Sequence, residues 1–206
     1  LFQGGEAWLP ILKPVIEKLA EAATYVGPDR DKRIVPVREL TFQALKPNPP
    51  ERWKVVVFGQ TPYPRVESAT GIAMFDNAFH SWQEPRFPQV ASMRNMLKLA
   101  LIWRHGLPET LPAKQIPSLL KEHDVVPPTE WFQAILSQGV LLVDASLTRH
   151  TDDAIPVARH VEFWMPVAEA IISAIISAKE SADPEHRGVA RAAVAGVGAA
   201  RREGAA

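Results

Sequence analysis

The sequence predicts an α/β protein built around a parallel sheet. Two apolar runs, residues 54–58 and Val140–Asp144, have bulky or β-branched side chains with no polar alternation. This composition is typical of strands buried on both faces of a parallel sheet. Segments of helical periodicity lie between and around the two runs, and such alternation indicates βαβ units. Each run ends at small or polar residues, and open α/β sheets bind ligands beyond the carboxyl ends of their strands.

The N-terminal part is predicted to be helical before the first strand. Apolar residues recur at helical spacing over residues 6–26, with Pro14 as a kink or restart and Gly27-Pro28 as the stop. A second, short helix is predicted around residues 37–45. Prolines 47, 49 and 50 then form a stiff approach to the first strand.

The first strand ends in a rigid turn, GQTPYP, because Gly59 allows unusual backbone angles and two prolines fix the chain. Residues 71–75 are predicted to form a short extended piece, followed by a loop over residues 77–88. A helix is predicted over residues 89–103, followed by a loop over 106–128 with a helical turn at 117–122. The next helix is predicted to run from its N-cap Thr129 to Ser137 and to end at Gln138-Gly139. The last predicted helix covers residues 161–178. The alanine- and glycine-rich tail from Gly188 fits either a weak strand plus helix or a poorly packed segment.

The bulk composition is that of a single-domain protein. The chain has 206 residues, of which 1–5 are interpreted as the remnant of an engineered protease site and 6–206 as one domain. Twenty-three basic and 23 acidic residues cancel, so nucleic-acid binding would rest on a local basic face. The absence of cysteine excludes disulfides, thiolate catalysis and cysteine-ligated zinc, and is compatible with the predicted cytoplasmic location. We expect no signal peptide and no apolar run approaching the roughly 20 residues that span a bilayer.

Three motifs in order carry a family resemblance. The stretch GQTPYPRVESATGIAMF resembles the first motif of family 1 uracil-DNA glycosylases, GQDPYH followed by a glycine–hydrophobic–alanine–aromatic segment. Ser92 and Asn95 in ASMRNM resemble that family's PSLxN helix start, and GVLLVDASLT resembles its GVLLLNxxLT strand. The matching positions of the first motif are Gly59, Gln60, Pro62, Tyr63, Gly71 and Ala73. The resemblance implies a three-layer α/β/α fold with a central four-stranded parallel sheet flanked by helices.

The resemblance also implies a chemistry, namely metal-free and cofactor-free hydrolysis of the N-glycosidic bond of a flipped-out base in DNA. Such a site must read the base edge, stabilise negative charge on the departing base and position a water. The backbone amides of Gln60 and Thr61 would be immobile donors. Tyr63 would lie against C5 of the pyrimidine and exclude the thymine methyl. Ser92 would hold a DNA phosphate.

The catalytic side chains depart from the family pattern. Thr61 stands where the family has its water-orienting Asp, and a positioned acid–base group contributes about 10²–10⁴-fold to a rate. Met74 replaces the aromatic residue that stacks on uracil, with Phe75 or Phe79 as substitutes. Pro64 replaces the motif's His. The family's HPSPLS motif, which supplies a catalytic His and a Leu wedge, is absent from the sequence.

Replacements for the missing groups are expected just after the second strand. His150 is the histidine predicted to lie nearest the pocket, and Asp152 or Asp153 is a candidate for the missing carboxylate. The alternative is that His150 is a solvated loop residue and both aspartates are simply exposed charges. Arg65, Arg86, Arg94 and Arg149 are either a phosphate-binding face or scattered solvated arginines.

Asp144 replaces the Asn that reads the uracil edge in the family. A protonated carboxyl group, favoured by burial, would imitate the amide. An ionised carboxylate would instead accept from the exocyclic amine of a cytosine-like base. A third interpretation is a strand-end cap that binds backbone amides.

The sequence therefore predicts a monomeric uracil-DNA glycosylase of base excision repair that acts on uracil-containing DNA. The alternatives are a catalytically silent nucleic-acid-binding relative and a glycosylase for another base selected by Asp144. The predicted site comprises catalytic Thr61, His150 and Asp153, base-binding Gln60, Tyr63, Met74, Phe75 and Asp144, and phosphate-binding Ser92, Arg65 and Arg149.

Overall fold

A computed structural model describes residues 3–182, and the predicted tail from Gly188 lies outside them. Helices and strands alternate as the sequence predicts. In chain order they are α1 Leu9–Ile16, α2 Ala22–Val26, β1 Ile34–Val35, β2 Val55–Gly59, α3 Ala91–His105, α4 Ile116–Glu122, α5 Pro128–Ser137, β3 Val140–Asp144, β4 Arg149–His150 and α6 Val157–Ala182.

The strands pair as two separate two-stranded sheets. β2 and β3 are parallel, in a register that runs from Val55 opposite Val140 to Gly59 opposite Asp144. β1 and β4 are antiparallel and only two residues long each. The two predicted apolar strands and their parallel pairing are confirmed, whereas the described residues do not form a four-stranded parallel sheet.

The two parallel strands differ in burial. Leu141, Leu142 and Val143 of β3 are at most 2% exposed, as predicted for a buried strand. β2 is different, since Val55 is 50% and Phe58 is 36% exposed. The prediction that this strand is buried on both faces is wrong for residues 3–182, because no element in that range packs over those two side chains.

The predicted N-terminal helix is two helices. The chain leaves helical geometry after Ile16, and Glu21 adopts a left-handed φ of 62° before α2 begins. Pro14 lies inside α1 and does not end it. The helix predicted around residues 37–45 is a pair of short 3₁₀ turns, Arg38–Leu40 and Gln43–Leu45.

Two further local predictions are corrected. Residues 71–75 do not form an extended strand, since Gly71 and Met74 have φ of 73° and 66° and the segment is a series of bends. Thr129 is not the N-cap of α5, because the helix begins one residue earlier, at Pro128. Proline suits the first helical turn because its missing N–H has no acceptor there.

α6 is the longest element and the main support of the core. It has 26 residues, and by length and composition it could cross a membrane. No apolar segment of that length was expected from the sequence. One side of α6 is buried through Phe163, Trp164, Val167 and Ile171, and the helix packs against α1. The core helix of a globular protein has the same composition, and the prediction of no membrane partner stays a prediction.

Candidate functional site

The carboxyl ends of β2 and β3 meet at the predicted turn. Gly59 pairs with Asp144 at the end of the ladder. Beyond it, the Ala145 N–H donates to the Gly59 carbonyl (2.9 Å) and the Ser146 N–H donates to the Gln60 carbonyl (3.2 Å). These two bonds hold both strand ends in a fixed relation, which is what a preorganised site requires.

Gly59 is needed for close approach at this point. A Cβ at position 59 would lie 2.1 Å from Asp144 Oδ1 and 3.0 Å from the Ala73 Cβ. Ala73 is itself anchored, because its N–H donates to the Leu142 carbonyl of β3 (3.1 Å). The Asp144 carboxyl group and the segment that carries Ala73 therefore converge on the bare backbone of Gly59.

Asp144 is a buried carboxyl group without a protein partner among residues 3–182. It is 7% exposed, and no hydrogen bond or ion pair reaches its side chain within that range. Burial raises the pKa of the Asp144 carboxyl group to about 7. Near neutral pH the group is thus divided between a neutral form, which donates and accepts, and an anion, which only accepts.

The turn presents two free backbone donors. Neither the Gln60 nor the Thr61 N–H donates to an acceptor within residues 3–182, although the neighbouring carbonyls are engaged. Gln60 is exposed and Thr61 is partly buried. Unpaired amides on a rigid turn are suited to receive an anion that develops during a reaction.

Tyr63 borders the same region. Its hydroxyl group lies 3.5 Å from the Met74 carbonyl, the outer limit of a hydrogen bond. Burial, followed by the charges of Asp76 and Asp144, raises the pKa of Tyr63 to about 12. The ring is therefore a neutral, half-buried wall beside the turn.

The residues predicted to stack on the base, which follow the turn, differ in their exposure to solvent. Met74 is partly exposed and adopts φ of 66°, a left-handed conformation that is uncommon for a non-glycine residue. Phe75 is 5% exposed and stacks on Phe132 with ring centroids 4.6 Å apart. Phe79 is 3% exposed. Met74, rather than either Phe, is the accessible side chain of this segment.

Asp76 was not predicted as a site residue. Its side chain is 2% exposed and pairs with Arg65, with Nη2 to Oδ2 at 3.1 Å, while the Ala78 N–H donates to Oδ1 (2.9 Å). Arg65, predicted to bind phosphate, remains 45% exposed while one edge is held by Asp76. A polar residue directly after the apolar run GIAMF was the sequence signal that could have identified Asp76.

The predicted residues after β3 form a second cluster at the β1–β4 pair. His150 is 1% exposed, with Nδ1 2.5 Å from Asp152 Oδ1 and Nε2 3.5 Å from Asp31 Oδ2. Arg149 Nη2 and Asp153 Oδ1 are 3.1 Å apart. Hydrogen bonds, chiefly from the neighbouring Arg33, hold the pKa of Asp31 well below its usual range. His150 is neither solvated nor free, since both ring nitrogens face carboxylates.

The remaining residues predicted to contact phosphate lie on α3 and in the segment before it. Ser92 is exposed in the first turn of α3, whose N-terminus has no side-chain cap. Arg94 donates to the Pro88 carbonyl (2.7 Å), and the Arg86 guanidinium carbon lies 5.9 Å from the Phe79 ring centroid. Arg94 is therefore held by the protein, whereas Arg86 is exposed.

Two cavities lie elsewhere and are lined by none of the predicted site residues. One, of about 260 Å³, lies between residues 19–25 and α6 and includes Tyr25, Arg159 and Phe163. The other, of about 370 Å³, is formed by residues 23–31.

The fold and the ends of β2 and β3 define an α/β protein with a candidate ligand site at the carboxyl ends of its parallel strands. A uracil-DNA glycosylase of Streptococcus mutans is 31% identical over 149 residues, covering 72% of this chain and 54% of that protein. The UNG crystal structure from Nitratifractor salsuginis superposes with a TM-score of 0.68 at 25% identity, over 85% of this chain and 72% of that one.

The chain belongs to the uracil-DNA glycosylase superfamily. The mimivirus uracil-DNA glycosylase structure, at 21% identity and a TM-score of 0.52 over 84% of this chain and 56% of that one, supports the fold alone. No family model matches the sequence. The chain spans about half the length of the curated relatives that it matches.

Proposed function

We propose that this chain is a uracil-DNA glycosylase that hydrolyses the N-glycosidic bond of a flipped-out uracil and leaves an abasic site in DNA. The observation that carries this proposal is that the free amides of Gln60 and Thr61 directly follow Gly59, where the Asp144 carboxyl group lies, with Tyr63 near enough to Asp144 for its charge to raise the pKa of Tyr63. We also infer that this protein has the family's four-stranded parallel sheet, acts as a monomer and works in cytoplasmic base excision repair.

The reaction breaks the bond between C1′ of the deoxyribose and N1 of uracil. The bonding electron pair leaves with the base, and the oxygen of a water molecule bonds to C1′. The proton that this water loses neutralises the uracil anion in the overall reaction. The N–H groups of Gln60 and Thr61 stabilise the negative charge on the departing base. Tyr63 fills the space beside C5, where a thymine methyl would clash.

Asp144 reads the base edge in its neutral form. A protonated carboxyl group donates to uracil O4 and accepts from N3–H, as an amide would. Its burial and its lack of a partner among residues 3–182 both favour this form. The anion would repel O4, so excision of uracil should decline as the pH rises through about 7.

Thr61 lacks the carboxylate that the family has at this position. Its hydroxyl group can orient a water molecule but carries no charge to stabilise a cationic sugar. This mechanism assigns no step to His150 or Asp153, because the His150 ring contacts Asp152 and Asp153 pairs with Arg149 at the β1–β4 pair. Ser92 and Arg65 are the proposed phosphate contacts.

Alkali cleavage of single-stranded and duplex DNA containing one uracil tests the proposal. We expect slow cleavage by the wild type, and an increase of up to about 10²–10⁴-fold in the Thr61→Asp variant. Asp144→Asn should keep the activity and remove its decline above pH 7. Absence of cleavage by all three proteins between pH 5.5 and 8.5 would exclude the glycosylase, and retained binding of abasic DNA would then favour the silent relative.

A further inference from the structure

Beyond the proposed phosphate contact Ser92, the exposed face of α3 has no role in the proposed reaction. Ser92, Asn95, Leu99 and Trp103 are all exposed and follow one another at intervals of three or four residues, so they share one side of the helix. Leu99 is 55% exposed and Trp103 is 84% exposed. A large aromatic side chain so exposed is unusual in a chain whose other tryptophans are partly or fully buried.

The same helix is uniformly cationic. α3 carries Arg94, Lys98 and Arg104 and has no Asp or Glu over its 15 residues. The chain as a whole has zero net charge, so this helix is a local basic surface and does not reflect a generally basic protein. A positive surface with an exposed aromatic ring is the combination that binds single-stranded nucleic acid.

We propose that this face of α3 binds a single-stranded segment of DNA next to the proposed site, with Trp103 as a platform on which a base stacks. The inference rests on the proposed function for the identity of the nucleic acid. The partner is a polyanion with flat, apolar faces, because cationic groups flank the exposed side chains and no acidic residue of α3 would repel phosphates.

The face also has a defined length. From Ser92, the proposed phosphate contact, to Trp103 there are eleven residues, or about 16 Å along the helix at a rise of about 1.5 Å per residue. This length is several times the spacing of about 3.4 Å between neighbouring nucleotides of a stacked strand. A single nucleotide bound at Ser92 should therefore not reach Trp103, whereas a dodecanucleotide should.

Trp103 can be observed directly because the other tryptophans are shielded. Trp8, Trp53, Trp82 and Trp164 are at most 2% exposed, and Trp131 is partly buried. Quenching of tryptophan fluorescence by acrylamide should thus report mainly Trp103. Oligothymidylates serve as probes, since Tyr63 should exclude their bases from the pocket and prevent turnover.

We expect the twelve-nucleotide probe, but not thymidine monophosphate, to protect the fluorescence from acrylamide. Trp103→Leu, which keeps an apolar side chain, should weaken binding of the longer probe on the order of 10- to 100-fold. Trp103→Phe should retain most of the affinity, and Trp131→Phe is the matched control. Unchanged quenching with the longer probe, or equal affinity of Trp103→Leu and the wild type, would overturn the inference and favour a protein partner for this face.

A trinucleotide with a central uracil separates this inference from the proposed function. Release of uracil from the trinucleotide without protection of Trp103 by the longer probe would leave the glycosylase intact and overturn the role of α3. Protection of Trp103 by the longer probe without release of uracil from any substrate would support the α3 surface and contradict the proposed reaction.

Discussion

At the scale of single residues, Gly59 and Asp144 determine the geometry of the candidate site. The sequence identified both positions, because a glycine that ends an apolar strand and a carboxylate that ends another are visible without a structure. The sequence marks Asp76 only as a polar residue after an apolar run, because its pairing with Arg65 depends on the bends of residues 71–76. The choice between neutral and ionised Asp144 depends on burial, which only the packing around β3 determines.

Replacement of Gly59 by alanine should disrupt the site by steric conflict. The new Cβ would lie 2.1 Å from Asp144 Oδ1, and an overpacked site costs about 1–3 kcal/mol of unfolding free energy. We expect loss of uracil excision together with a reduced urea midpoint. In an Asp144→Ala background the same substitution should cost clearly less, because the conflicting oxygen is gone. Equal costs in both backgrounds would show that the conflict lies elsewhere.

At the scale of elements, the reliable predictions were those based on long periodic or apolar segments. α3, α5, α6 and β3 were predicted close to their observed positions. The errors fall on short segments whose conformation depends on partners distant in sequence, such as residues 71–75, where Ala73 bonds to Leu142. The burial predicted for β2 was wrong for a related reason, because the sequence of a strand does not show which of its faces another element covers.

Thr148 joins the region after β3 to α6. Its hydroxyl oxygen accepts from Trp164 Nε1 (2.6 Å) and lies 2.9 Å from His160 Nδ1, and all three side chains are fully buried. Thr148→Val keeps the shape but leaves these polar groups unsatisfied, so it should lower the unfolding free energy by about 1–3 kcal/mol. Thr148→Ser keeps the hydroxyl group and is the control. Urea unfolding should rank Val below Ser, and the reverse order would contradict the network.

For the whole molecule, the buried side chains of Asp144 and His160 make the unfolding free energy depend on pH in opposite directions. Burial raises the pKa of Asp144 from 3.8 to about 7, so its contribution is present at low pH and is lost as the pH rises through about 7. Burial lowers the pKa of His160 from 6.5 to about 4, so its contribution is present above pH 6.5 and is lost as the pH falls towards 4. At about 1.4 kcal/mol per pKa unit, the opposing changes are roughly 4 and 3 kcal/mol and nearly cancel.

Asp144→Asn should therefore expose the acid sensitivity that His160 confers. The amide preserves the shape of the side chain but does not titrate, so the variant loses the contribution that strengthens the wild type at low pH. We expect the variant to lose stability relative to the wild type by a few kcal/mol as the pH falls from 7 to 4, measured by urea unfolding at several pH values. The other titrating groups, including Asp31 and Asp152, are common to both proteins and cancel in the difference. Parallel pH curves for the two proteins would mean that Asp144 is ionised in the folded state across this range, and the neutral form required to read uracil O4 would then be absent.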